Sequence, residues 1–292
     1  MVWIPNHAKD DPKRGLDPVL SMEKGKKILN KENETVDYAS LQEKLEQAIA
    51  QRIPNRASYG VAFSGGLDSG LLAHLLLKHN PAMPLVVVGF PESKDVERAT
   101  LLSEKWGAQL VTRTLNEKEF EKHHRLAGKL LQTEDPLQRT LGAVNLSIAQ
   151  WASENRINTL FLGSGADELF CGYGAFDAMR EDPKGCEKLR KEKVENVNTH
   201  DVQREVLCAR HYGIRLESPY LDEAFMKEAM KTPAIQNLQG KYGKLRKGIL
   251  RTLAEKMGAP KEIIEEPKKA MQYGSGAIKA LKSSHIEDVL DL

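Results

Sequence analysis

The sequence predicts an α/β protein with a doubly wound parallel sheet and a helical C-terminal region. Short apolar runs alternate with helical segments up to about residue 165, and this alternation is typical of strands joined by helical crossovers. Residues 85–89, Leu-Val-Val-Val-Gly, are apolar throughout, as in a strand buried on both faces. Glycine-rich turns follow residues 63 and 162. Ligands of such sheets bind at the carboxyl ends of the strands, where both turns would lie.

The elements can be placed from these patterns. Four strands are predicted, over residues 59–63, 85–89, 109–113 and 158–162. A first helix, capped by Thr35 or Asp37, ends near Pro54, and further helices are predicted from near Ser69 and over 93–106, 117–131 and 137–155. From about residue 175 onward strand signals vanish and the pattern is helical, with irregular links at several prolines.

Two parts of unequal size are expected. Residues 1–34 are polar, proline-containing and densely charged near their end, which predicts an irregular N-terminal arm. Residues 35–292 are predicted to form the domain itself. Its α/β part would run over about 35–175 and its helical part over about 176–292.

Composition favours a soluble, cytoplasmic protein. Of 292 residues, 40% are hydrophobic and 29% charged, and no apolar run approaches the about 20 residues of a membrane helix. The net charge of +2 provides no overall field that would favour nucleic acid, although a local basic patch stays open. Cys171, Cys186 and Cys208 lack CxxC spacing, which indicates reduced thiols rather than a zinc site or a disulfide framework.

The first glycine turn has the features of an anion site. Gly65 and Gly66 allow a sharp turn that brings backbone N–H groups close to a ligand, at the positive end of the next helix. Ser64 and Ser69 add hydroxyl donors, and the Asp68 carboxylate suits Mg²⁺ beside phosphate. The alternative interpretation is a plain strand-to-helix turn, which is common in α/β proteins.

The second turn carries two acids. Asp167 and Glu168 follow Gly163 and Gly165 directly. Taken alone, they are acids that the dipole of a helix N-terminus favours. Together with Asp68 from the first turn, they would instead hold Mg²⁺ against pyrophosphate.

Several segments resemble one family in the right order. Ser64–Ser69 resembles the SGGxDS loop of the N-type ATP pyrophosphatases, which include asparagine synthetase, GMP synthetase, NAD synthetase and several tRNA-modifying enzymes. Five further segments are similar to the synthetase domain of asparagine synthetase: 88–95, 163–173, 218–222, 247–251 and 267–275. The resemblance spans about residues 36–278 and is greatest to the asparagine synthetase domain-containing proteins.

The resemblance implies a role for particular residues. The backbone would frame adenosine at Ala62, Val88, Leu162 and Gly163. Pyrophosphate would be held by Ser64, Gly65, Gly66, Asp68 and Ser69, and Mg²⁺ by Asp68 and Asp167. Lys247 would neutralise charge between the α and β phosphates, and Lys268 or Lys269 would close over phosphate. Without the resemblance, all three lysines are interpreted as solvated surface residues. Asp222, in the segment 218–222, is interpreted equally as an N-cap of the following helix or as a site residue.

Two departures weaken a direct transfer of the family's reaction. Asparagine synthetases carry Glu at the position of Ser164, where it is associated with the incoming ammonia, and a hydroxyl cannot replace a carboxylate base. The family's Glu-x-Arg appears here as Arg215-Leu216-Glu217, with the charges exchanged. Ser164 and Glu168 are therefore assigned to the substrate side without a defined role.

The resemblance implies a ligase that uses ATP and Mg²⁺ to adenylate a carboxylate, aspartate by default, and passes the acyl group to ammonia or an amine. Val2 stands where an N-terminal-cysteine glutaminase needs Cys, so ammonia would come from elsewhere, for example from a separate glutaminase subunit. Two alternatives stay open. One is modification of tRNA or a small molecule, and the other is an ATP-binding scaffold that lost turnover.

Overall fold

The computed structural model describes residues 36–55, 58–91, 93–199, 201–267 and 274–277. The expected arm, residues 1–34, lies outside the described residues, and so do Lys268 and Lys269.

Five parallel strands form a single sheet. They are β1 (Tyr59–Ala62), β2 (Leu85–Gly89), β3 (Leu110–Thr114), β4 (Thr159–Phe161) and β5 (Arg215–Glu217). Their order in the sheet is β3-β2-β1-β4-β5, with Val61 in register with Leu85 on one side and Phe161 on the other. The chain thus winds outward from β1 in both directions, and the crevice between β1 and β4 is the topological switch point where such sheets bind ligands.

The fold class is confirmed, and the four predicted strands are present, but the expectation that strands end before residue 175 is wrong. β5 pairs with β4 in parallel through Arg215, Leu216 and Glu217. Two of its three residues are charged, so it carries no apolar run that a sequence pattern would reveal. Glu217 is held by Arg215 at 2.5 Å and by Arg52 at 3.3 Å. Pairing and ion contacts, rather than hydrophobicity, define this edge strand.

Eleven α-helices accompany the sheet in the described part of the chain. They are α1 (Tyr38–Ala50), α2 (Leu67–His79), α3 (Lys94–Trp106), α4 (Glu117–Leu131), α5 (Pro136–Glu154), α6 (Ala166–Leu169), α7 (Pro183–Asn196), α8 (Asp201–His211), α9 (Glu223–Met230), α10 (Gly248–Lys256) and α11 (Lys261–Ile264). Of the two predicted caps, Asp37 is the one that caps α1, because its carboxylate accepts from the Ser40 amide at 3.0 Å. None of the helices described is both long and apolar enough to cross a membrane.

Both faces of the sheet are covered. Val61 and Val87 pack into a core with α1, α2 and α10, whereas Val86 and Leu160 pack on the opposite face with α4, α5 and α8. Burial of each such aliphatic side chain contributes about 1.5–3 kcal/mol, so helices are held firmly on both sides. What remains open is the carboxyl edge of the strands, where the loops carry the predicted functional residues.

Candidate nucleotide-binding site

A cavity of about 500 Å³ lies at this carboxyl edge. Of the predicted site residues, its lining includes Ala62, Ser64, Gly66, Asp68, Ser69, Val88, Leu162, Gly163, Ser164, Asp167, Glu168 and Lys247. The structure therefore brings together residues from both glycine turns, from the end of β2 and from the start of α10. Of the predicted site residues that the structure describes, Gly65 is not among those that line the cavity.

The first glycine turn begins α2 without a capping side chain. Gly65 adopts φ 74°, in the left-handed region that favours glycine. The N-cap of α2 is Gly66, which has no side chain to accept from the first amides of the helix. The Ser69 hydroxyl accepts from the Ser64 amide at 3.2 Å, and the two hydroxyl oxygens also lie 3.2 Å apart. The turn thus presents hydroxyls and first-turn amides to the cavity, which is the donor set that an anion requires.

Lys247 joins the two turns. Its Nζ lies 2.6 Å from both carboxylate oxygens of Asp68 and 2.7 Å from Oδ1 of Asp167. The lysine is 1% exposed, so the interpretation as a solvated surface lysine is wrong. A buried ammonium is costly unless it is paired, and two carboxylates pair it here.

The backbone at Lys247 is itself unusual. As the N-cap of α10 it adopts φ 54° and ψ 36°, a left-handed conformation that costs a non-glycine residue about 1–2 kcal/mol. Strain of this kind persists where the surrounding contacts fix a side chain in a functional position. The two ion pairs supply those contacts.

Two glycines leave room for this charged group. A Cβ on Gly172 would lie 1.9 Å from Oδ1 of Asp167 and 2.3 Å from Cε of Lys247. A Cβ on Gly163 would lie 2.8 Å from Cβ of Asp68. Any side chain at either position would displace the acids or the lysine.

The segment 218–222 supports the site from outside. Tyr220 is fully buried, and its hydroxyl donates to the backbone carbonyl of Asp68 at 3.0 Å, while burial holds the tyrosine pKa well above its usual range. Asp222 is an N-cap, because it accepts from the amides of Ala224 and Phe225 at the start of α9. Its second partner is Arg52, at 2.9 Å.

At the other end of the cavity lies a group of acids. The Ser164 hydroxyl donates to Oε2 of Glu205 at 2.7 Å. Burial raises the pKa of the Glu205 carboxyl to about 7 and also raises that of Glu168, whose Oε1 accepts from the Tyr173 hydroxyl. Burial thus shifts both carboxyls at this end of the cavity toward their neutral form.

Sequence reasoning missed several charged residues that line the cavity, among them Arg98, Arg204, Glu205 and Arg246. Arg98 lies against the first glycine turn, since a Cβ on Gly65 would meet its Cγ at 2.7 Å, and it contacts Glu266. None of these residues has a spacing signal of its own. Only Arg246, directly before Lys247, could have been found by its position.

The donor set also bears on metal binding. In the described part of the chain, no three or more His, Cys, Asp and Glu side chains are grouped to hold a metal ion. Asp68 and Asp167, which both contact Nζ of Lys247, form instead a pair of carboxylates that fits a metal ion bound together with phosphate. Mg²⁺ commonly takes one or two protein carboxylates and completes its shell with phosphate oxygens and water.

The parallel sheet, with a cavity between the turns that follow β1 and β4, defines the class of protein, that of α/β proteins with a candidate site at the topological switch point. Within this class the chain belongs to the asparagine synthase family, whose model matches residues 40–192 and 181–291.

Similar proteins include a putative asparagine synthetase [glutamine-hydrolyzing] 1 of Methanocaldococcus jannaschii, 28% identical over 81% of this chain and 49% of that protein. The asparagine synthetase [glutamine-hydrolyzing] of Gallus gallus is also 28% identical, over 84% of this chain and 45% of that protein. The chain thus spans about half the length of these relatives. Among solved structures, the U34-tRNA thiolase NcsA from Methanococcus maripaludis is similar with a TM-score of 0.42 and 13% identity, over 85% of this chain and 74% of that one.

Proposed function

We propose that this protein is an ATP-dependent ligase that adenylates a carboxylate, releases pyrophosphate and transfers the acyl group to ammonia or an amine. The observation that carries the proposal is the contact of Lys247 with both Asp68 and Asp167, inside a cavity between two strand-end turns. Membership of the asparagine synthase family supports the reaction class.

Each part of ATP would occupy a different part of the cavity. The backbone at Ala62, Val88, Leu162 and Gly163 would frame the adenosine, and the turn from Ser64 to Ser69 would hold the β and γ phosphates as pyrophosphate. Amides at the start of α2 and two serine hydroxyls supply donors there. Lys247, buried and fixed in place, would offset the charge that builds on the oxygen between the α and β phosphates.

Magnesium fits the same place. Asp68 and Asp167 would hold Mg²⁺, which when bound polarises the phosphates and offsets their charge. The two carboxylates converge on one positively charged nitrogen, so they are near enough to share a cation. A role for Lys268 or Lys269 in closing over phosphate stays a prediction.

Aspartate and ammonia are the proposed default substrates, because the relatives are named asparagine synthetases. Both relatives are named as glutamine-hydrolyzing, and the chain spans about half of each. We propose that the nitrogen donor is free ammonia or ammonia released by a glutaminase.

The proposal is tested by a screen for ATP–pyrophosphate exchange and AMP release with purified protein, Mg²⁺ and the protein amino acids, with and without ammonium. Carboxylate-dependent exchange is expected, with AMP accumulating only when an amine is present. Nucleotide binding without exchange across the whole panel would identify a scaffold without turnover. Exchange that depends on added tRNA would identify a nucleic-acid-modifying enzyme instead.

A further inference from the structure

The proposed transfer step needs a proton acceptor. Ammonium and most amines are protonated at neutral pH, and a protonated nitrogen has no lone pair to attack an acyl carbon. A base whose pKa lies near the operating pH is the effective one. The Ser164 hydroxyl cannot fill this role, and Asp68 and Asp167 are already paired with Lys247.

We propose that Glu205 is the catalytic base that removes the proton from the incoming ammonium or amine, an inference that rests on the proposed function. Glu205 projects from α8 into the cavity and is 9% exposed. Its Oε2 accepts from the hydroxyl of Ser164, which lies in the turn that follows β4, at 2.7 Å. Residue 164 is a serine and has only a hydroxyl, but α8 places the carboxylate of Glu205 directly beside it.

The charges around Glu205 suit this role. Asp201 and Arg204 lie on its own helix, and Glu168 of α6 is the third charged group that acts on it. Arg204 is occupied elsewhere, by Asp201 at 2.8 Å and by the side-chain oxygen of Gln138 at 2.7 Å. Consequently, among the residues that the structure describes, no ion pair holds Glu205 ionised. The nearby Cys208 thiol stays neutral, since burial raises its pKa to about 12.

Burial raises the pKa of Glu205 to about 7, with Asp201 and Glu168 raising it further and the Ser164 hydroxyl and Arg204 opposing the shift. At neutral pH the carboxyl is thus divided between its two forms. The ionised form accepts a proton, and the protonated form returns it to solvent, as a recycling base requires.

Glu205 takes one proton from ammonium, and the nitrogen lone pair that this frees forms a C–N bond to the acyl carbon. The C–O bond to AMP breaks, and AMP leaves with its electron pair and with the second proton that the nitrogen loses after attack. Glu205 then releases its proton to water, so atoms and charge balance over the transfer.

The test compares wild type with Glu205→Gln, and with Glu195→Gln as a matched control at an exposed position on α7. ATP–pyrophosphate exchange with the carboxylate found in the screen reports adenylation, and amide formation reports transfer. In Glu205→Gln the ratio of ammonium-dependent amide formation to exchange should fall about 100-fold, the size of effect typical of general-base removal. Hydroxylamine, largely unprotonated at neutral pH, needs no base and should restore transfer to within a few-fold of wild type.

Two further variants separate the base from a structural role. Ser164→Glu in the Glu205→Gln background returns a carboxylate to the same place and should recover ammonium-dependent transfer. Ser164→Ala removes a hydrogen bond that lowers the pKa of Glu205, so the rise of the transfer rate with pH should move to higher pH.

The outcomes are distinguishable. Unchanged ammonium-dependent transfer in Glu205→Gln, or an equal loss with hydroxylamine, would overturn the assignment of Glu205 while leaving the ligase intact. Absence of carboxylate-dependent exchange in wild type would overturn the proposed function, and this inference with it.

Discussion

Nζ of Lys247 lies 2.7 Å from Oδ1 of Asp167, although the lysine begins α10 and the aspartate lies in α6 after β4. The helical C-terminal region therefore supplies a cation to a site whose other parts come from the sheet. Neither region can form this site without the other.

Lys247→Met is expected to lower carboxylate-dependent exchange about 10²–10³-fold, the range for loss of one preorganised electrostatic contact in a transition state. The exposed Lys244→Met is the matched control, three residues away on the same segment. Exchange kinetics under saturating ATP measure the effect. Equal rates in the two variants would remove Lys247 from the mechanism.

Asp68→Ala and Asp167→Ala are each expected to abolish Mg²⁺-dependent ATP turnover while leaving the fold intact. Each variant removes one of the two acids that converge on Lys247. Turnover is measured against Mg²⁺ concentration, and circular dichroism checks the fold. Wild-type rates in either variant, with an unchanged Mg²⁺ requirement, would refute the metal assignment.

Gly172→Ala is expected to lower both activity and stability. The new Cβ would clash with Asp167 and Lys247, and overpacking of this kind costs about 1–3 kcal/mol. Gly174→Ala is the control, because a Cβ there would lie 3.7 Å from its nearest atom, Nη1 of Arg246. Urea denaturation and exchange assays measure the two effects, and comparable losses in both variants would exclude the clash as the cause.

Glu205→Gln is expected to stabilise the protein at alkaline pH. The folded-state pKa of Glu205, about 7, is raised above the ordinary 4.5, so the folded protein binds the proton more tightly than the unfolded chain. Its contribution to the free energy of unfolding is present below pH 4.5 and is lost as pH rises through 7. The neutral glutamine avoids this loss.

The gain relative to wild type should therefore be larger at pH 8 than at pH 5, on the order of 1–3 kcal/mol at pH 8. Urea denaturation at the two pH values provides the measurement. A variant that loses stability by the same amount at both would contradict the pKa shift. A residue that is retained for its function can lower the stability of the fold, so replacing it is expected to stabilise the protein.

The strands β1 to β4, the two glycine turns and the cap of α1 by Asp37 were all accessible from the sequence. Each depends on a local pattern: an apolar run, a glycine that permits a turn, or a capping acid beside an apolar stripe. Resemblance then added residues such as Lys247, which no local pattern distinguishes from a surface lysine.

Tertiary structure alone decided the rest. β5 is defined by pairing with β4, since two of its three residues are charged, and Lys247 is buried because two carboxylates from distant turns meet its ammonium. The bond from Ser164 to Glu205 joins a strand-end turn to a helix far along the chain. These are contacts between polar groups that are remote in sequence, and their energy depends on distance and burial, which a pattern of residue types does not encode.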